Sequence, residues 1–121
     1  MAEAVAQIER PGWEERWYYA EILRIRGSLL LLNSESEAAE RSYLASLDWA
    51  RQQQAKSWEL RTAASYARLM REQGRVEEAY ALLAPVYRWF TEGFATKDLR
   101  EAKALLDELE IAGALTPEAR A

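Results

Sequence analysis

The chain has 121 residues, half of them apolar and 30% charged, with a formal net charge of −4, the size and balance of one small globular domain. It holds no cysteine and no histidine, which excludes disulfides, zinc–thiolate sites and imidazole general bases. The acidic balance argues against a binder of nucleic-acid backbones. No run approaches the ~18 apolar residues of a membrane span, and the N-terminus lacks the basic-then-apolar order of a signal peptide.

Low glycine and proline content, with abundant Ala, Leu, Glu and Arg, predicts an all-helical fold. Ala2 to Arg10 is a short helical piece with Val5 and Ile8 on one side, broken by Pro11-Gly12. A long helix is expected over 14–32, with Trp17, Ala20, Leu23, Ile25, Gly27, Leu30 and Leu31 as its apolar positions. Gly27 in its middle costs about 1 kcal/mol against Ala, so its use is close approach of another helix. Asn33-Ser34 makes a turn, and Ser36 caps a helix over 36–53 that turns Ala39, Tyr43, Leu47 and Ala50 inward. The polar run Gln52-Gln53-Gln54 is a connector.

The clearest unit is Lys56 to Phe94. Ser57 is placed to cap a helix over 57–73, with Glu59 suiting the positive end of its dipole. Arg61, Ser65, Arg68 and Glu72 follow at steps of three and four and share a polar face. Gly74 supplies the left-handed residue that ends this helix. The next is expected over 76–92, burying Ala79, Leu82, Leu83, Val86, Tyr87 and Phe90 and ending at Gly93. Pro85 inside it removes one backbone hydrogen bond, at a cost of roughly 3 kcal/mol if nothing compensates. A last helix over 97–112, capped by Thr96 and stopped by Gly113, carries Leu99, Ala102, Leu105, Leu106 and Leu109 inward.

A shift of about 40 positions superposes the first hairpin on the second. Gly27 lands on Ala67, Ala39 on Ala79, Tyr43 on Leu83, and Asn33-Ser34 on Gln73-Gly74. A small residue late in each first helix, a small one early in each second helix and a large apolar one four later resembles the tetratricopeptide (TPR) pattern, from about Glu14 to Leu109 and with a slightly longer period. The resemblance implies antiparallel helical hairpins stacked as a right-handed superhelix. Residues 1–12 would then be the remnant of a preceding repeat helix, 13–94 two TPR-like hairpins, 95–113 a capping helix and 114–121 a frayed tail.

A second resemblance rests on ERWYYAEILRIRGSLLL, AKSWELRTAASYARLMREQGR and LLAPVYRWFTEGFATKDLREAKALLDEL. These phrases resemble the C-terminal TPR-like tails of large bacterial signalling proteins, in which an adenylate/guanylate cyclase domain precedes a STAND-type ATPase. That implies a cytoplasmic regulatory or scaffolding tail. The chain itself has no GxxxxGK[ST] phosphate loop and no cyclase aspartate pair.

Residues with chemistry to offer have plainer readings. Trp13, Trp17, Tyr18 and Tyr19, with Trp49, Trp58, Tyr87, Trp89 and Phe90 later, suggest an aromatic box, but packing between helices accounts for most of them. Glu35, Glu37, Glu40, Glu77 and Glu78 stand at helix starts, where dipole compensation explains them. No paired carboxylates suggest catalysis, so no enzyme, cofactor or metal is expected. The expected function is a protein-interaction module; a structural cap that seals a longer solenoid is the alternative. In TPR-like arrays the first helices of successive hairpins line the concave side. That face should hold Arg24 and Ser28 from one hairpin and Arg61, Ser65 and Arg68 from the next. Guanidinium groups bind carboxylates in bidentate fashion. The expected partner is therefore a protein or peptide with an acidic segment, or another domain of the parent, with no nucleic acid and no membrane. An apolar face on helix 14–32, if bared, would drive self-association.

Overall fold

A computed structural model describes residues 17–91 and 96–114. The regular elements among them are five helices: α1 (Trp17–Leu32), α2 (Ser36–Gln52), α3 (Lys56–Glu72), α4 (Val76–Trp89) and α5 (Lys97–Ala114). The all-helical expectation is met. The expected helix within 2–10, the Pro11-Gly12 break, Trp13, Gly93 and the frayed tail beyond 114 lie outside the described residues.

The first three turns are built alike. Ser34, Gln54 and Gly74 take left-handed conformations, with φ of 62°, 54° and 78°. In each turn the next residue's N–H reaches back five positions to a helix carbonyl. Glu35 bonds to Leu30, Ala55 to Ala50 and Arg75 to Met70, at 2.8–2.9 Å. The left-handed residue itself bonds three back, to Leu31, Arg51 and Arg71 respectively. This pair of bonds is the Schellman motif, which satisfies carbonyls that a helix end would otherwise orphan. The motif recurs every 20 residues, and α2, α3 and α4 start 20 apart, at 36, 56 and 76.

The chain divides into two compact units, Met1–Thr62 and Ala63–Ala121, with the boundary inside α3. In the first, Ser42 Oγ donates to the Leu23 carbonyl at 2.7 Å and Ser46 Oγ to the Ala20 carbonyl at 2.6 Å. Position rises on α2 as it falls on α1, so these helices run antiparallel. Ala20, Ala39, Tyr43, Leu47, Ala50 and Leu60 fill the core between them and the start of α3. Gly27 is the close-approach residue its position suggested. A Cβ there would stand 2.8 Å from Tyr43 Cε1 and 2.9 Å from Cδ1, and the Tyr43 hydroxyl lies 3.0 Å from Ser28 Oγ.

In the second unit, α4 and α5 run antiparallel. Tyr80 donates to Glu110 at 3.0 Å, while Tyr87 acts electrostatically on Lys103, seven residues nearer the start of α5. The later part of α3 runs parallel to α5, tied by Arg68–Glu101 at 3.7 Å and by Arg71–Glu108. Ala67, Ala79, Leu83, Leu99, Ala102, Leu105 and Leu109 are buried as expected.

Several local expectations need correction. Ser36 and Ser57 are not caps. Glu35 holds the cap position of α2 without a side-chain bond, and α3 begins at Lys56, with Ala55 accepting the first helical bond from Glu59. The three-residue spacer centred on each left-handed residue, rather than a capping side chain, sets where the next helix starts. Helix α4 stops at Trp89, before the expected 92, and Phe90 is extended with ψ 136° outside the helix. Its N–H closes the last turn on Tyr87 at 3.2 Å. Gly113 lies inside α5, which continues to Ala114. Ile25 is 44% exposed, on the side of α1 away from α2. Glu59, placed in the first turn to suit the helix dipole, is also buried.

Candidate interaction surfaces

The first unit gathers three of the five residues assigned to a concave polar face. Glu21, near the start of α1, is the hub. Its Oε1 accepts from Arg24 Nε at 2.8 Å, one helical turn on, and its Oε2 lies 3.3 Å from Arg61 Nη1 on α3. Forty residues separate Glu21 from Arg61, one hairpin repeat. The Arg61 guanidinium also lies over the Trp58 ring, 4.9 Å from its centroid. A cation over an aromatic face is held by the ring quadrupole, so Arg61 is both paired and stacked. Ser28 is spent on Tyr43 Oη. In the second unit, Ser65 is half-buried, and Arg68 meets Glu101 at 3.7 Å with both side chains more than 40% exposed.

These arginines therefore already face carboxylates of their own chain, which sequence reasoning missed. The signal for Glu21–Arg61 was present in the 40-residue period: a residue on one first helix meets its equivalent on the next. A second ion cluster, centred on a buried carboxylate, lies in the same unit. Glu59, 5% exposed, receives Arg51 Nε at 3.1 Å and Lys56 Nζ at 3.2 Å. It bridges the end of α2 to the start of α3.

Among the described aromatics the packing reading holds for one pair between helices. Tyr19 and Trp49 pack with ring centroids 4.6 Å apart across α1 and α2. Trp89 and Phe90 meet edge-on at 5.2 Å, with Trp89 57% exposed.

A groove of about 330 Å³ opens in the second unit between α4 and α5, with Val76, Ala81 and Leu109 as its apolar part and Glu77 and Glu110 as its acidic part. Tyr80 is pinned along it, donating to Glu110 while accepting from Arg88 Nη2 at 3.2 Å. Nothing in the linear sequence brought α4 and α5 together at these residues. Among the described residues no group of three or more His, Cys, Asp or Glu side chains is placed to hold a metal ion. No described helix is long and apolar enough to cross a membrane. No protein-family model, curated protein or solved structure matches this chain.

Proposed function

We propose that this chain is a non-catalytic protein-interaction module of TPR-like stacked helical hairpins, working in the cytoplasm as the regulatory tail of a larger cyclase- or ATPase-type signalling protein. The observation that carries the reading is the 20-residue recurrence of one turn geometry at Ser34, Gln54 and Gly74. Identical turns between helices of nearly equal length give each hairpin the same shape. Copies of one shape stack into arrays whose extended surfaces serve protein recognition. The carboxylate-rich partner follows from Arg24, Arg61 and Arg68. It acts by exchange: an incoming carboxylate displaces Glu21 or Glu101 from these guanidinium groups, so affinity is modest and salt-sensitive.

The test is titration of an oligo-glutamate peptide into the protein, followed by tryptophan fluorescence at low and high salt. Glu21→Gln should bind the peptide more tightly than wild type, because it removes the carboxylate charge that Arg24 and Arg61 share. Arg24→Ala/Arg61→Ala should bind it less. Equal behaviour of all three proteins, or no binding by any, would leave the structural cap as the better reading. That second reading draws support from α5, whose outer face is lined by exposed Arg100, Lys103, Asp107 and Glu108, as a terminal repeat requires.

A further inference from the structure

Helix α1 is apolar on two opposite sides. Ala20, Leu23 and Gly27 face α2 through the serine–carbonyl bonds and the Tyr43 ring. On the far side Ile22, Ile25, Leu29 and Leu32 follow at intervals of three, four and three. Ile25 is 44%, Leu29 57% and Leu32 81% exposed. The 3-4-3 spacing is the a/d seam of a coiled coil. In that register Ala20 and Gly27 fall at f, opposite the seam. The other polar ties of α1, Glu21 to Arg61 and Ser28 to Tyr43, leave from g, to one side of it. Ile22, at the start of the row, is half-buried, and the other three lie open. A helix apolar on both sides is one that buries both.

We propose that this seam pairs with the same seam of a second copy of the chain, parallel and about a twofold axis. Two observations favour a second copy as the occupant. A 3.5-residue period fits a helix with that same period, and among the described helices only α1 exposes such a row; the other exposed large apolar residues, Leu44, Trp89 and Ile111, stand singly. The flanking charges are compatible with themselves. In a parallel pair Arg26, exposed at e, faces Glu21 at g of the second copy, and the two arginines lie on opposite sides of the seam. Glu21 already accepts from Arg24 and Arg61, so the leucine and isoleucine layers carry the association and the charges set its direction. Four seam residues per copy bury less than the roughly 1,200–2,000 Å² of a stable complex. The dimer is therefore weak, with a dissociation constant on the order of tens to hundreds of micromolar, suited to strengthening when copies are held together by a larger assembly.

Sedimentation of the full chain across that concentration range tests the proposal. The mass should rise from monomer to dimer for wild type and for the control Leu44→Glu, and stay monomeric for Leu29→Glu, with helical circular dichroism unchanged because Leu29 is more than half exposed. The chain has no cysteine, so a single introduced thiol reports its own neighbour. Oxidised Leu29→Cys should form a covalent dimer, and Leu44→Cys should not. A wild type that stays monomeric throughout, or a Leu29→Glu variant that dimerises as wild type does, overturns the proposal. So does a monomeric wild type that dimerises only after Val5→Glu/Ile8→Glu, since that would assign the stripe to the chain's own first residues.

Discussion

Replacing Gly27 with Ala sets two effects of known size against each other. Alanine in mid-helix gains about 1 kcal/mol over glycine. The new methyl group would stand 2.8 Å from Tyr43 Cε1, 0.6 Å inside the 3.4 Å at which ordinary contact begins. The ring has little room to withdraw. Tyr43 is 1% exposed, and its hydroxyl is held by Ser28 at 3.0 Å. Overpacking of this kind costs about 1–3 kcal/mol, so Gly27→Ala should lose about 1 kcal/mol net, or roughly 4–8 °C in Tm for a domain of this size. The second hairpin suggests the remedy, because the equivalents of Gly27 and Tyr43 there are Ala67 and Leu83, both 0% exposed. Gly27→Ala/Tyr43→Leu should therefore recover much of the loss. The coupling between the two changes should be about 1–2 kcal/mol in a double-mutant cycle. Urea unfolding followed by circular dichroism at low protein concentration measures all four proteins. A single Gly27→Ala variant more stable than wild type, or strict additivity in the cycle, would refute the close-contact account.

The three left-handed turns predict opposite effects at two equivalent sites. Gln54→Gly should stabilise by about 1 kcal/mol and Gly74→Ala should destabilise by about as much; nothing lies within 4 Å of a Cβ built on Gly74, so only backbone conformation acts, and the urea midpoints should move in opposite directions. Ser46 is fully buried, donating to the Ala20 carbonyl and meeting Thr62 Oγ1 at 2.8 Å. Ser46→Ala should cost about 1–3 kcal/mol by stranding both partners, and Thr62→Val less, a ranking that thermal melts resolve. At the surface, the hydrogen bond and charge of Asp107 hold the Lys103 ammonium above its ordinary pKa. Its small favourable contribution is present at neutral pH and fades as pH rises through the raised folded value. Asp107→Asn should lower the Lys103 pKa in an NMR titration, and an unchanged value would remove the pair as its cause.

The helices themselves were legible because their signals are local. Apolar residues at steps of three and four marked all five described elements within a few residues, and Gly74 marked its turn by needing a positive φ. The small residues Gly27, Ala39, Ala67 and Ala79 were legible as buried, and Gly27 as a close approach, because only small side chains let two helix axes come close. The caps were misread for the same local reason. Ser36 and Ser57 have capping side chains, but the preceding Schellman turns start the helices one and two residues, respectively, before a serine cap would allow.

By itself the sequence determined the helical class, the 40-residue repeat and the absence of thiol and imidazole chemistry, since each follows from composition or from spacing along one chain. Only the tertiary structure decided which charges meet. Arg61 was readable as a groove arginine until folding brought Glu21 to 3.3 Å from it, and Glu59 as a dipole-compensating acid until folding paired it with Arg51 and Lys56. Helical periodicity states which residues share a face of one helix. It does not state which face of a neighbouring helix comes opposite, and the pairing of charges depends on that choice.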